Sequence, residues 1–176
     1  MFINFSNPLT YMPVGSIIQS VYSSNSYQTS TTGTTYTDVL SALGVTWEIA
    51  ITPKSTSSVI NLMANLSILL GDAGIGSVYA GVRIQRKIGA GAYSTIFNPM
   101  ADGSGPTDLG VGTTGTTVSQ YSRHHLMLRD SPATISPVTY KFQISVRGGS
   151  GSQLMYINND TTTDGQSFVF LNEVKQ

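Results

Sequence analysis

A chain of 176 residues is long enough for one domain to bury a core without disulfides or metal, and its nine basic and nine acidic residues cancel. Only 10% of residues are charged, against roughly 25% in an ordinary globular protein, which removes the electrostatic reason to hold nucleic acid or an anionic membrane. Cys is absent, so no disulfide framework or thiolate metal site is available, and no apolar run approaches the roughly 20 residues that span a bilayer.

Residues 1–14, MFINFSNPLTYMPV, are apolar but irregular, with Pro8 and Pro13 blocking a regular element. Phe2, Ile3, Phe5, Leu9, Tyr11 and Met12 would be a liability if exposed on a monomer. The segment reads as an arm that docks on a neighbouring subunit or partner surface, with folding back onto its own sheet as the plain alternative. No basic region followed by an apolar stretch marks a secretory signal.

The domain then spans 15–176. Gly15 to Tyr22 begins it as a strand, and the Ser/Thr/Asn/Gln-rich stretch from Ser23 to Thr35 reads as a solvated loop or edge. Tyr36–Val39 makes a short strand and Ser41–Gly44 a turn. Val45, Trp47, Ile49 and Ile51 alternate with polar or small residues as a half-buried strand.

Pro53 and the run Lys54–Ser57 lead into the clearest element of the chain. From Ser58 to Leu70 the even positions are Ile60, Leu62, Ala64, Leu66, Ile68 and Leu70. The odd positions are mixed and mostly polar, so one strand face is buried and the other is not. Asn61, Met63, Asn65 and Ser67 on that second face carry no charge, which marks them as a candidate subunit interface.

Gly71–Gly74 reads as a turn, followed by a strand with Val78, Ala80, Val82 and Ile84 on its apolar side. Gly89–Ala92 breaks it before a short strand at Tyr93–Phe97. Residues 98–120, rich in Gly, Thr and Asp, read as one long loop. Tyr121–Arg129 resumes as a strand, and Asp130-Ser131-Pro132 turns.

Val138, Tyr140, Phe142, Ile144 and Val146 then alternate with polar residues as a second long strand, the natural counterpart of the first. Gly148–Gly151 turns, Leu154–Ile157 forms a strand and Asn158–Gly165 a polar loop. Ser167–Val174 is apolar on both sides, which places it centrally or at a subunit interface. About eight to ten strands with no helix argue an all-β protein, a single antiparallel two-sheet sandwich.

The reactive residues offer little chemistry. His124 and His125 are neighbours on a strand, so they point to opposite faces and cannot clamp one metal. His124 shares the side of Leu126 and Leu128, where a hydrogen-bonded core or interface histidine is favoured over a base. No nucleophile-elbow sequence is present. Glu48 and Glu173 are the only glutamates, too few for a paired-carboxylate glycosidase. The Asp160–Gly165 stretch lacks the ligand pattern of a calcium loop. Trp47 could stack on a sugar, but it lies on an apolar row and core packing is favoured. No catalytic residue, cofactor or metal site is therefore expected.

Gly15-Ser16-Ile17-Ile18-Gln19, Tyr36-Thr37-Asp38-Val39, Ile51–Ser58, Val82–Arg86, Arg129-Asp130-Ser131-Pro132-Ala133-Thr134, Val138-Thr139-Tyr140-Lys141 and the closing Phe168–Glu173 occur in order across residues 15–174. Together they resemble a family of small, jelly-roll-like β-sandwich domains in structural proteins of tailed bacteriophages, particularly phages of aquatic bacteria and cyanobacteria. The resemblance implies a virion component without enzymatic activity, usually a homotrimer, serving as a knob, capsid decoration or fibre tip. Its implied partners are its own copies and other capsid or tail proteins, with no nucleic acid and no membrane. The short N-terminal segment leaves no room for a fibre shaft, which favours a knob attached through residues 1–14. The alternative is a tail-fibre tip or a receptor- or carbohydrate-binding module that meets a host surface glycan through the 98–120 loop and exposed tyrosines. A trimeric sandwich ligand resembling complement C1q or tumour-necrosis-factor domains is a weaker reading.

Overall fold

Two antiparallel sheets pack into a β-sandwich in the computed structural model, which describes residues 12–72, 76–98, 110–113, 118–148, 153–158 and 165–176. The strands are β1 (Ile17–Asn25), β2 (Thr29–Thr31), β3 (Thr37–Asp38), β4 (Glu48–Ile51), β5 (Val59–Asp72), β6 (Gly76–Ile88), β7 (Ser94–Phe97), β8 (Gly110–Thr113), β9 (Val118–Asp130), β10 (Val138–Gly148), β11 (Gln153–Ile157) and β12 (Ser167–Val174). Among the described residues there is no helix.

The first sheet follows the order β1-β12-β5-β11-β2, with β9 on the other edge of β5. The second follows β3-β10-β6-β7, with β4 also on β10 and β8 also on β6. Strand β5 is the hub of the first sheet because its length, 14 residues, lets β12 and β11 share one side while β9 covers the other. Its even row is buried throughout, from Ile60 at 0% exposure to Leu70 at 3%. The inward row of β10 matches it: Val138, Tyr140, Phe142, Ile144 and Val146 are all buried. These two rows belong to opposite sheets of one core, so the two longest apolar rows face one another across the sandwich and are not hydrogen-bonded neighbours.

Trp47 closes one side of this core. It is buried, stacked on Phe142 at 5.3 Å between ring centroids, and its indole N–H donates to Ser23 Oγ at 2.9 Å. A sugar cannot reach it. Strand β12 lies between β1 and β5, and the central position expected from its apolar character is what the structure shows.

Two carboxylates are met by several donors, one of them across the sandwich. Asp130, at the end of β9 in the first sheet, accepts from Arg86 Nη1 at 2.6 Å and from the Tyr140 hydroxyl at 2.8 Å, both on the second sheet. Burial, and then the Asp130 charge, push the Tyr140 phenol far above its ordinary value, so it stays a donor. Glu173 of β12 is fully buried and accepts from the Lys54 backbone N–H at 2.6 Å and from the Gln19 side-chain amide. A buried carboxylate is tolerated only when its oxygens are met in this way.

Asn158, just after β11, adopts φ 58°, a left-handed conformation that Asn accepts more readily than most residues. Its own groups are used there: the side-chain amide donates to the Tyr27 carbonyl at 3.1 Å, and Oδ1 accepts from Ser167 Oγ at 2.6 Å.

Several sequence expectations need correction. Among the described residues there are twelve strands, against the eight to ten expected. The 98–120 stretch is not one loop, since Gly110–Thr113 pairs with β6 and Val118–Gln120 already belongs to β9. Gly71 and Asp72 are strand, paired with Ser119 and Val118 on one side and with Leu154 and Gln153 on the other. Ser23–Asn25 continues β1, while Thr29–Thr31 forms an edge strand. In each case Gly, Ser or Thr holds the ladder through backbone hydrogen bonds supplied by a long neighbour, without an apolar row to announce it.

Candidate interaction surface

A sheet buried on one side must present its other side to something. On the first sheet, the strand registers assemble that outward side row by row. Directly opposed residues in adjacent antiparallel strands share a face. One row runs Ser20, Asn172, Asn61, Arg129 across β1, β12, β5 and β9. The next runs Tyr22, Phe170, Met63, Met127, and the third Ser24, Phe168, Asn65, His125. The middle row is a continuous aromatic and methionine band. None of the three rows contains an acid.

The two ends of the band are exposed, with Phe170 and Met63 half-buried between them. Met127 is 81% exposed and Tyr22 56%. The Tyr22 and Phe170 rings meet at 4.9 Å, and Phe168 stands edge-on to Phe170 at 5.9 Å, so the aromatic part is preassembled. At one end Ile17, Asn61, Met63, Met127, Arg129 and Asn172 line a groove of about 380 Å³. Asn172 accepts there from Ser20 Oγ at 2.6 Å, and Arg129 donates to the Gln176 side chain at 3.0 Å. Asn65, in the third row, is only 8% exposed, and its Oδ1 has no hydrogen-bond partner. A buried acceptor left without a donor is uncommon and costly.

Asn61, Met63, Asn65 and Ser67 thus sit on one strand side, and the fold joins Asn61 and Met63 to the groove. Sequence reasoning missed Tyr22, Met127, Phe168 and Phe170. The signal was present in part: β12 is apolar on both sides, and Met127 interrupts the polar positions Arg123, His125 and Arg129 on the exposed side of β9. Of the arm residues, Met12 is exposed at 36%, while Phe2, Ile3, Phe5, Leu9 and Tyr11 lie outside the described residues.

The outward side of the second sheet is chemically the opposite. Asp38 accepts from Lys141 Nζ at 2.9 Å, from Thr46 Oγ1 at 3.0 Å and from the Gln143 amide. Arg83 Nε donates to Gln143 Oε1 at 2.8 Å, and its guanidinium lies 4.1 Å from the Tyr36 ring centroid. Lys87 and Lys141 both approach the Tyr93 ring, at 4.7 and 4.5 Å, and the Tyr93 hydroxyl donates to Glu48. Burial acts to raise the Asp38 carboxyl, but the hydrogen bonds from Lys141, Gln143 and Thr46 outweigh it and hold the group below its ordinary value. Burial, reinforced by Glu48, raises the Tyr93 phenol. Lys141 and Gln143 are buried although they face away from the core. Most of these groups find partners among themselves, although the Oγ of Ser145, buried on the same side, has no hydrogen-bond partner.

His124 is half-buried on the inward side of β9, with Nε2 2.9 Å from Ser122 Oγ, whereas His125 is exposed on the outward side. The two imidazoles are on opposite faces, as adjacent strand residues must be. Among the described residues, no three His, Asp or Glu side chains converge on a point where a metal ion could sit.

No protein-family model matches the chain, and no curated protein matches it. Among solved structures it is similar to an infectious bursal disease virus Gx-strain structure, at 10% identity and a TM-score of 0.37, covering 90% of this chain and 33% of that one. A Gt-strain structure of the same virus gives 14% identity and a TM-score of 0.37, covering 92% and 39%. The VP2 subviral particle of that virus gives 11% identity and a TM-score of 0.34, covering 89% and 38%. The chain therefore spans about a third of the length of the first of these.

Proposed function

We propose that this chain is a non-enzymatic structural protein of a virus particle, a knob or decoration domain that associates with copies of itself as a trimer. The observation that carries the self-association is the outward band Tyr22–Phe170–Met63–Met127, four large apolar side chains aligned across four strands with no acid in the adjoining rows. Contiguous exposed apolar surface rimmed by polar groups marks association sites in soluble proteins. The low charge of the chain supports the same reading, because few surface charges need desolvation when copies pack. The virion setting rests on the resemblance to bacteriophage structural domains, and residues 1–14 are assigned to attachment.

Light scattering tests the association directly. The expected mass is three times 18.7 kDa, and Met127→Lys should shift the protein toward single chains without unfolding it. A full-length chain that stays monomeric at micromolar concentration overturns the reading. A glycan-binding tip is a second reading, carried by Tyr121, 66% exposed on β9 at the border of the 98–120 stretch. Glycan-array binding that is lost in Tyr121→Ala would favour it.

A further inference from the structure

The groove at the Ile17 end of the first sheet has a composition that calls for a particular kind of occupant. Its floor is apolar (Met63, Met127 and Ile17), and its polar groups are the amides of Asn61 and Asn172 with the Arg129 guanidinium at one side. An uncharged segment with several large apolar side chains and free backbone groups matches that lining. Residues 1–11, MFINFSNPLTY, contain no Asp, Glu, Lys or Arg and include Phe2, Ile3, Phe5, Leu9 and Tyr11. Methionine-lined surfaces suit such a segment, since the thioether side chain adapts to irregular apolar shapes.

The root of this segment is fixed in the structure. The Met12 carbonyl accepts from Lys175 Nζ at 2.7 Å, Gly15 N–H donates to the Lys175 carbonyl at 2.8 Å, and Ser16 N–H to the Pro13 carbonyl at 3.1 Å. These bonds hold the chain in a turn beside the end of β12. Yet Met12, Pro13, Val14 and Gly15 are all exposed, Val14 at 75%. The root is anchored through its backbone, and its own side chains are not laid on the domain. Extended, 11 residues reach roughly 36–40 Å. Four strands span only about 15–20 Å, so the segment is long enough to reach a groove on another copy as well as its own, and cross-linking separates the two.

We infer that residues 1–11 of one copy dock in the groove formed by Ile17, Asn61, Met63, Met127, Arg129 and Asn172 of a neighbouring copy. The inference rests on the self-association proposed above, names the contact that makes it, and reassigns residues 1–11 from particle attachment to that contact. It turns arm and sheet face, two features distant in sequence, into the two halves of one interface.

The absence of Cys makes a clean test possible. Leu9→Cys and Met127→Cys chains are mixed and treated with a short thiol-to-thiol cross-linker. Met127 is exposed, so that substitution leaves the fold intact. The expected product is a heterodimer of twice the chain mass. A chain carrying both substitutions that cross-links at single-chain mass in dilute solution places the segment on its own domain and overturns the inference, as does no cross-link at all. A second measurement uses a chain lacking residues 1–11, expected to associate at least about tenfold more weakly by light scattering. If that chain stays fully associated, the arm contact is wrong while self-association stands. If the full-length chain is itself monomeric, the parent reading falls.

Discussion

The two outward sheet faces are built from the same kind of strand, yet they solve opposite problems. On the second sheet, Lys141, Asp38, Gln143, Arg83, Tyr93 and Glu48 find partners among themselves, and polar side chains become buried without a core. On the first, Met127, Tyr22 and Ile17 stand exposed, and Asn65 buries an acceptor that no donor meets. Each face keeps one buried oxygen without a partner, Ser145 Oγ on the second and Asn65 Oδ1 on the first, but a face that has met most of its hydrogen bonds internally gains little by meeting another molecule. A face with exposed apolar area and an unmet acceptor gains from both. The difference teaches where to look for a partner: the charged face is closed, and the nearly uncharged one is open.

The contrast can be broken from either side. Asp38→Ala should have the largest effect on stability, because it strands the donors of Lys141, Gln143 and Thr46 together. A loss of about 2–3 kcal/mol is expected, read as a lower denaturant midpoint at unchanged oligomeric mass. A normal midpoint would show that the network contributes nothing.

The same carboxyl sets a pH dependence. Its folded-state value lies below the ordinary one, so its stabilisation is present above pH ~4 and fades as pH falls through the folded value. The stability gap between the parent chain and Asp38→Asn should therefore be full at pH 7 and close at strongly acidic pH. A gap that widened on acidification would reverse the assignment.

On the open face, Met127→Ser should change stability by no more than about 0.5 kcal/mol, since the side chain is 81% exposed. The same substitution should weaken association. The pairing of a small effect on folding with a clear effect on mass is what separates an interface residue from a core residue. Denaturant unfolding and light scattering on one preparation decide it.

Asn65→Leu carries the smallest expected effect on the isolated chain, near zero or slightly stabilising, because it removes an acceptor already without a partner. If a neighbouring copy donates to that oxygen, the cost reappears as weaker association. Equal association of the parent and the variant would show that Asn65 is outside the contact.

Much of the fold was legible because strand periodicity is local. The even rows of β5 and β10 fix which side chains go inward, and the structure buries those residues. Alternation says which face a residue takes and nothing about which strand lies beside it. The β5 and β10 rows consequently gave no sign that they face each other across the core while pairing with β9, β12 and β6 instead. Strand β8 escaped notice for a related reason: Gly110 and Gly112 have no side chain to carry a pattern, and their pairing is supplied by β6. The residues of the outward band were half legible. Met63 announced itself as uncharged on an outward strand position, whereas its neighbours Phe170 and Met127 come from strands more than 60 residues away in sequence and meet it only through register.

What the sequence by itself determined was the all-β class, the inward rows and the buried role of Trp47, since each follows from residue type and nearest-neighbour spacing. Only the tertiary structure decided that Asp130 reaches Arg86 and Tyr140 across the sandwich, that Asp38 gathers a polar network, and that four strands align their large apolar side chains into one outward band. Those are properties of strand pairing and register, which are set by hydrogen bonds between segments distant along the chain.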